Sequence, residues 1–213
     1  MTIKKTAGIN GFGRFAFGLF RSWFNDQNSS YKVLFINDDF LTISDIAKIL
    51  REDTIVTDFN DLTISILEDN LLIKRNNGNT EKIKVTNSSI DSAMWLGEPD
   101  ILFECSGRKK DNTFKNLLIR NTKNIIIGSI QETVDCILVL GHNHFEYNKS
   151  IDKVISFGSC TAIPGILMIS FIHSKFKIVN CTINIVHSVP KWQLDAGQWK
   201  TIKRKVCSLE KIA

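Results

Sequence analysis

The sequence lacks any long uncharged apolar run. No stretch approaches the roughly 20 apolar residues that a membrane-spanning helix needs, and residues 1–5 lead straight into a strand without the hydrophobic core of a signal peptide. A cytoplasmic protein with no membrane partner is therefore expected. Because 43% of the 213 residues are hydrophobic, the chain can bury one good core, which excludes a disordered or a fibrous protein.

Cysteine pairs and dense basic blocks are also scarce. The five cysteines are an odd number without paired spacing, which argues against a disulfide framework and a zinc site. His142 and His144 are two residues apart with no third ligand nearby, so we expect loop hydrogen bonds and no metal. The net charge of +5 is scattered apart from a cluster at 200–205, which is too little to indicate nucleic-acid binding.

What the sequence does have is a group of glycines where a short apolar run gives way to a helical pattern. Gly11, Gly13 and Ala16 fit the G-x-G-x-x-G/A pattern of dinucleotide-binding folds. The first glycine makes a tight turn, the second lets the backbone approach a pyrophosphate, and the small third residue lets the helix pack on the strand. The helix N-terminus offers N–H groups to phosphates. The alternative is a glycine turn without a ligand.

The segments after the glycines support a dinucleotide site. A strand over residues 32–37 ends in Asn37 and Asp38, and an acidic residue at this place, roughly 20 residues beyond the glycines, holds the ribose hydroxyls in such folds. We predict that Asp38 has this role. Asp39 competes for it, and a turn or helix-capping carboxylate is the other alternative. A carboxylate here would repel the extra phosphate of NADP, so NAD is the expected cofactor.

Strands and helices alternate along the chain, which predicts an α/β fold with a doubly wound parallel sheet. The hairpin and short strand between residues 62 and 86 are interpreted as peripheral antiparallel structure. The first helix is predicted because Phe15, Leu19, Phe20, Trp23 and Phe24 recur at helical spacing. Predicted strands cover residues 5–9, 32–37, 62–66, 71–74, 82–86, 101–105, 125–128, 137–140, 154–158 and 176–186, and predicted helices cover residues 13–24, 44–52, 112–120 and 163–173.

Ligands in open parallel sheets lie outside the carboxyl ends of the strands. Ser106 and Gly107 follow one predicted strand, and Ser129 follows the next. We therefore expect all three beside the cofactor. The alternative is a plain strand–helix turn, which serine and glycine also favour.

Cys160 is the candidate nucleophile. It lies where a strand breaks at Gly158 and gives way to a helix, and a helix N-terminus or a nearby imidazole can favour a thiolate. The commoner role of a cysteine is that of an inert buried thiol, which we assign to Cys105, Cys136, Cys181 and Cys207. Pro164 fits the first turn of a helix. The helix is thus predicted to begin after Cys160, which would weaken the help of its dipole to the thiolate.

His187, at the end of the predicted strand 176–186, is the candidate base. A strand end is exposed enough to aim an imidazole at a thiol, although alternation places His187 on the same face as Ile183 and Ile185. A satisfied core histidine is the alternative.

Several of these segments resemble one known family. Gly-Ile-Asn-Gly-Phe-Gly-Arg at 8–14, followed by Asn-Asp at 37–38, resembles the opening of the glyceraldehyde-3-phosphate dehydrogenase family, which includes the erythrose-4-phosphate dehydrogenases. Ser-Cys-Thr at 159–161 matches the nucleophile motif of the family, and Val-His-Ser at 186–188 resembles its base segment. The matched cofactor positions are Asn10, Gly11, Phe12, Gly13, Arg14, Asn37, Asp38, Ser106, Gly107 and Ser129.

The resemblance implies a Rossmann-type NAD-binding domain and a cytoplasmic, homotetrameric oxidoreductase of glycolysis. Cys160 would attack a phosphorylated aldehyde, His187 would take a proton, and hydride would pass to NAD. Inorganic phosphate, bound by Ser159 and Thr161, would open the resulting thioester, whereas water opens it in the erythrose-4-phosphate branch.

The sequence also departs from the family. Ala162, Ile163 and Pro164 replace the Thr-Asn-Cys that follows the nucleophile motif, and Phe157 replaces an asparagine. The loop at 189–195 is shorter and lacks the phosphate-binding threonine and arginine of the family; whether Lys203 or Arg204 replaces that arginine stays open.

The resemblance covers only the front part of a family member. We expect an NAD-binding domain over 1–158 and an incomplete, truncated α+β catalytic domain over 159–213. A non-catalytic dinucleotide-binding protein is the competing hypothesis.

Overall fold

The computed structural model describes residues 4–55, 57–107, 114–131 and 133–186. Its strands are β1 (Lys5–Asn10), β2 (Tyr31–Asn37), β3 (Ile64–Leu67), β4 (Asn70–Lys74), β5 (Thr80–Thr86), β6 (Ile101–Glu104), β7 (Asn124–Ile127), β8 (Cys136–Ile137) and β9 (Val154–Ser156). The α-helices are α1 (Arg14–Asn25), α2 (Ile43–Glu52) and α3 (Ala162–Phe176), and short 3-10 turns cover Ile90–Ser92, Phe114–Leu117 and His144–Glu146.

All strands join one sheet in the order β3-β4-β5-β2-β1-β6-β7-β9-β8. From β5 through β2, β1, β6, β7 and β9 to β8, every neighbouring pair is parallel. The chain builds outward from β1 to β2 and β5, then returns to place β6 on the other side of β1. This reversal creates a switch point between β1 and β6, where open α/β sheets bind ligands. The predicted doubly wound parallel α/β fold is confirmed.

The interpretation of residues 62–86 as peripheral is wrong in part. β3 and β4 do form an antiparallel hairpin at one edge, but β5 pairs in parallel with β2 inside the main sheet. Leu71, Ile73 and Ile83 are fully buried in the same core as α1. The segment extends the main sheet because its apolar side chains face that core.

The buried face of helix α1 coincides only in part with the apolar residues whose spacing predicts the helix. Phe15 is 56% exposed, whereas Phe17 is buried and its ring centroid lies 5.8 Å from that of Phe59. Phe15 is the second residue of the helix, and its ring packs beside Gly128 at the end of β7 instead of the core. The buried face consists of Ala16, Phe17, Phe20, Trp23 and Phe24, at the spacing of an amphipathic helix.

Three other predictions need correction. Within the described residues, the predicted helix 112–120 is only the turn Phe114–Leu117, and the predicted strand 137–140 shrinks to Cys136–Ile137. The strand at 176–186 is absent: α3 continues through Phe176, and residues 178–186 form no strand. Alternating apolar residues favour a strand only where a neighbour pairs with it, and among the described residues no strand pairs with this segment.

The buried part of helix α3 lies in its first two turns and packs against the segment that follows β8. Ala162 and Ile166 are buried against Val139, whereas Phe171 and Phe176 are 66% and 77% exposed. Across the described ranges, no helix combines the length and the apolar character required to cross a membrane.

Candidate functional site

The parallel strands end together at one edge of the sheet, and the candidate residues follow these ends. Gly11 comes directly after β1, Asp38 after β2, and Ser106 two residues after β6. Ser129 follows β7, and Cys160 follows β9. The structure thus brings the described cofactor-binding candidates and Cys160 to the carboxyl ends of the strands, which we call the carboxyl edge. His187 lies outside the described residues.

Gly11 makes the turn that sequence reasoning predicted. Its φ of +82° lies in the left-handed region that favours glycine. Its N–H donates to the carbonyl of Asn37 over 2.7 Å, and a Cβ at this position would lie 2.5 Å from Cα of Ser106. The turn is therefore pressed against the ends of both β2 and β6, and only glycine fits there.

Gly13 faces open space. It precedes α1 with extended backbone (φ −82°, ψ −170°) and no side-chain cap, and a Cβ there would meet nothing within 4 Å. The helical hydrogen bonds begin only with the N–H of Phe17, which donates to the Gly13 carbonyl. The earlier N–H groups of the helix are outside that ladder, which suits a negatively charged ligand.

The Asp38 carboxylate holds the glycine turn. One oxygen accepts the N–H of Phe12 at 2.8 Å, and the other accepts those of Phe40 and Leu41, each at 2.9 Å. These contacts are those of the alternative role, in which Asp38 is a turn or helix-capping carboxylate. A carboxylate offers about four acceptor positions, and these three backbone donors occupy three of them.

A buried polar chain runs across the strand ends. Asn37 Nδ2 donates to Asn10 Oδ1 at 2.8 Å, and Asn10 Nδ2 donates to Glu104 Oε2 at 2.7 Å. The other Glu104 oxygen accepts both the N–H and the hydroxyl of Ser106. The Asn10 and Asn37 amides, predicted to bind cofactor, thus bind each other and hold the strand ends in register. Sequence reasoning missed Glu104, although a carboxylate at the end of an apolar strand is a usable signal.

The remaining predicted cofactor residues are less enclosed, apart from Phe12. The Phe12 ring is buried in the core, so only its backbone faces the turn. The Arg14 guanidinium is two-thirds exposed and pairs with the buried carboxylate of Asp53. Gly107 has φ +69° with open space around it, and the Ser129 hydroxyl accepts from the Gln131 amide at 3.1 Å.

Two exposed aromatic rings at this edge were missed as site residues. Phe40, 79% exposed, follows Asp38 at the end of β2, and Phe15 lies over Gly128 at the end of β7. Flat rings at the two ends of the site can cover the bases of a dinucleotide by stacking. The signal was an aromatic residue one or two positions after a predicted ligand residue.

Cys160 is exposed and lies between β9 and α3. Gly158, with φ +76°, turns the chain toward it. The Ser159 hydroxyl lies 3.2 Å from that of Thr161 and accepts the N–H of Ala162 at 3.1 Å. Since α3 begins at Ala162, the prediction that the helix starts after Cys160 is confirmed.

The other described cysteines differ in their burial and in the pKa of their thiols. Burial, and then the Glu104 charge, raises the pKa of Cys105 to about 12. Burial, and then Asp152, raises the pKa of Cys136 to about 11. Cys181 is exposed, so its interpretation as a buried structural thiol is wrong. Cys207 lies outside the described residues.

The histidine loop forms the expected hydrogen bonds. His144 Nδ1 accepts the N–H of Gly141 at 3.0 Å, and His142 Nδ1 lies 3.0 Å from the Ser170 hydroxyl. Among residues that the structure describes, no three His, Cys, Asp or Glu side chains cluster so as to hold a metal.

The switch point between β1 and β6, the open glycine turn beside it and the acidic residue ending β2 define a Rossmann-type dinucleotide-binding domain. Residues 5–112, about half of the chain, match the family described as glyceraldehyde 3-phosphate dehydrogenase, NAD binding domain. The chain belongs to the glyceraldehyde-3-phosphate dehydrogenase family and contains its NAD-binding domain.

Curated relatives agree with this assignment. The chain is 28% identical to glyceraldehyde-3-phosphate dehydrogenase 4 of Caenorhabditis elegans over 192 residues, which cover 89% of this chain and 55% of that protein. It is 29% identical to the glyceraldehyde-3-phosphate dehydrogenase of Geobacillus stearothermophilus over 190 residues, which cover 88% of this chain and 54% of that protein. The chain therefore spans about half the length of the relatives it matches.

Proposed function

We propose that this chain binds NAD and acts as the front part of a glyceraldehyde-3-phosphate dehydrogenase-type oxidoreductase, which oxidises a phosphorylated aldehyde in the cytoplasm as a step of glycolysis. One observation carries the proposal: the open glycine turn and the exposed Cys160 lie at the same carboxyl edge of one doubly wound sheet. A dinucleotide lying along this edge would extend from the end of β2 toward the cysteine.

The residues present fit such a cofactor. Gly13 leaves the space that a pyrophosphate requires, and the first N–H groups of α1 border that space. Asp38 would accept a ribose hydroxyl, and its charge favours NAD over NADP. Ser106, Gly107 and Ser129 would border the nicotinamide half.

Cys160 and His187 would carry the chemistry. The Cys160 thiolate attacks the aldehyde carbon and forms a carbon–sulfur bond, and the carbonyl oxygen takes up a proton from solvent to become a hydroxyl. His187 then takes the proton of this hydroxyl as the hydride leaves. Bound NAD supplies the acceptor for the hydride that leaves this carbon. The carbon is thereby oxidised to a thioester on Cys160. Inorganic phosphate, held by Ser159 and Thr161, breaks the carbon–sulfur bond, leaves as an acyl phosphate and frees the thiolate. In an erythrose-4-phosphate dehydrogenase, water instead of phosphate would cleave the thioester.

A second candidate, a dinucleotide-binding protein without turnover, has its own support. Beyond β9, the described residues comprise the loop 157–161, α3 and the irregular segment 177–186, and α3 exposes apolar side chains. A catalytic domain would be expected to cover them. Both candidates require NAD binding, and only the first requires oxidation.

The test is a pair of measurements on the 213-residue chain. Calorimetric titration with NAD and with NADP is expected to show tighter binding of NAD; the reverse order would refute the role of Asp38. Reduction of NAD is then followed with glyceraldehyde 3-phosphate or erythrose 4-phosphate, with and without inorganic phosphate. Phosphate-dependent reduction, lost in Cys160→Ser, supports the first candidate. NAD binding without reduction supports the second.

Assembly belongs to the same proposal. A homotetramer is proposed, and light scattering after gel filtration measures it directly. A monomer that binds NAD would refute the proposed tetramer and leave the proposed cofactor site unaffected.

A further inference from the structure

Ser156 is the last residue of β9, and its hydroxyl uses both of its hydrogen-bonding roles beyond the end of the strand. Its Oγ donates to the Ser129 carbonyl at 2.8 Å and accepts the N–H of Gly158 at 3.1 Å. The residue is fully buried. One hydroxyl therefore contacts two loops: the Ser129 loop (residues 128–131) and the cysteine loop (residues 157–161).

The pairing of β7 with β9 does not need this hydroxyl. Ile127 and Ser156 are register partners, and the Phe157 N–H donates to the Ile127 carbonyl at 3.1 Å. Backbone hydrogen bonds thus hold the strands together up to their ends. The hydroxyl adds a connection where that ladder stops, between the segments that follow the two strands.

The position of the connection gives it a consequence for Cys160. Gly158 has φ +76°, so its peptide sets the direction in which the chain turns toward Cys160, two residues later. The same hydroxyl that orients this peptide also holds the Ser129 carbonyl. One oxygen atom thus connects the Ser129 carbonyl to the Gly158 peptide.

We infer that Ser156 is a positioning residue that couples occupancy of the Ser129 loop to the reactivity of Cys160. The inference rests on the proposed function for the identity of the occupant, which is the nicotinamide half of NAD. Ser156 itself contacts neither NAD nor substrate. Its hydroxyl fixes the cysteine loop relative to the surface on which NAD lies.

The test measures the alkylation rate of Cys160 in the full chain, by iodoacetamide and peptide-resolved mass spectrometry, with and without saturating NAD. In the wild type, the two rates are expected to differ by about fivefold, a typical coupling between adjoining sites. Ser156→Ala is expected to bring their ratio to within about twofold of one while the Kd for NAD stays within about twofold of the wild-type value. An unchanged Kd shows that the variant is folded.

Ser29→Ala is the matched control, because Ser29 is also buried and its Oγ accepts the Tyr31 N–H at the opposite edge of the sheet. This variant is expected to keep the wild-type ratio. An equal NAD response in wild type and Ser156→Ala would overturn the inference alone. A wild type that binds NAD without any change at Cys160 would overturn the proposed placement of the cysteine as well, and a wild type that does not bind NAD would overturn the proposed function itself.

Discussion

Gly11 and Gly13 are two residues apart in one turn but have opposite surroundings. A Cβ on Gly11 would meet the backbone of Ser106 at 2.5 Å, and the φ of +82° adds strain. A Cβ on Gly13 would meet nothing within 4 Å. We predict that Gly11→Ala destabilises the fold by about 2 kcal/mol or more, whereas Gly13→Ala costs about 1 kcal/mol at most.

The two variants are expected to separate folding from binding. Gly13→Ala should stay folded and lose most of its NAD affinity, because the new methyl group occupies the space proposed for the pyrophosphate. Urea unfolding gives the stabilities, and calorimetric titration gives the affinities. Unaltered NAD binding in Gly13→Ala would place the pyrophosphate elsewhere.

The described thiols are predicted to fall into two classes of reactivity. With a pKa raised to about 12, Cys105 has about one ten-thousandth of its molecules as thiolate at pH 8. Cys136, with a pKa of about 11, has about one thousandth. We expect iodoacetamide to modify the exposed Cys160 and Cys181 in the native chain, and Cys105 and Cys136 only after unfolding.

The relative alkylation rates of the two exposed cysteines test the role of Cys160 as the nucleophile. Cys160 is expected to react faster than Cys181, because only Cys160 has neighbouring hydroxyls at a strand-to-helix turn. Peptide-resolved mass spectrometry gives each rate, and Cys181→Ser is the control for cross-reaction between the two. Equal rates would leave Cys160 without special reactivity.

At the scale of the elements, the buried polar chain joins the ends of β2, β1 and β6. The donor-to-acceptor direction of its hydrogen bonds is set at both ends of the chain. At one end, Asn37 Nδ2 donates to the Ser88 carbonyl, which can only accept. At the other end, the Ser106 N–H can only donate. Glu104, which lies between Asn10 and Ser106, must therefore accept on both oxygens, and an ionised carboxylate satisfies this requirement.

Glu104→Gln keeps the shape of the side chain but puts an NH₂ group against a donor, whichever way the amide turns. We predict a loss of about 2 kcal/mol in the free energy of unfolding, together with weaker NAD binding, because the side-chain bonds of Glu104 to Asn10 and Ser106 beside the glycine turn would be disturbed. The exposed Glu98→Gln is the matched control and should change neither quantity. Equal stabilities of the two variants in urea unfolding would show that the chain does not need an acceptor at both oxygens.

At the opposite end of the same strands, Asp100 connects β1 to the start of β6. Its Oδ2 accepts the N–H of Thr6 at 2.7 Å and the Thr6 hydroxyl at 2.8 Å. These bonds, the backbone bond first, lower the pKa of Asp100 below its ordinary value. The native state thus binds this proton less tightly than the unfolded chain, so the stabilisation is present above the unfolded pKa of about 4 and is lost as the pH falls through the lower native pKa.

Asp100→Asn is therefore expected to reduce the difference in unfolding free energy between pH 7 and pH 3. Urea unfolding at both pH values measures this difference. Asp61→Asn, at an exposed carboxylate, serves as the control. If the wild type and Asp100→Asn lose the same stability between the two pH values, the Thr6 bonds do not favour the ionised form.

The elements also show how far local patterns predict this fold. The glycine turn, β1, α1 and β2 could be predicted because local rules decide them: glycine at a positive φ and apolar residues at helical spacing. The role of Glu104 could not, since its partner Asn10 lies 94 residues away. The position of Phe15 outside the core could not be predicted, because periodicity does not separate a core-facing residue from one that packs on a loop. The prediction of a strand at 176–186 is wrong because alternation of apolar residues says nothing about a pairing partner.

At the scale of the whole molecule, one sheet places the glycine turn and Cys160 at a common edge, while most of α3 extends beyond the core. Met168, Ile172 and Phe176 are spaced four residues apart, and with Phe171 they form one apolar, exposed row. Contiguous apolar surface of this kind promotes association in water. The chain is therefore expected to bind hydrophobic dyes and to self-associate as its concentration rises.

The double variant Phe171→Lys/Phe176→Lys is predicted to reduce both dye fluorescence and light scattering, because it interrupts the apolar row with two charges. Its free energy of unfolding should stay within about 0.5 kcal/mol of the wild-type value, as for surface substitutions that remove no buried contact. Ile55→Lys replaces a side chain of similar exposure, 76%, outside α3, and is expected to leave the scattering unchanged. A double variant that unfolds more easily without scattering less would mean that these rings are buried in solution, against the exposure that the structure gives them.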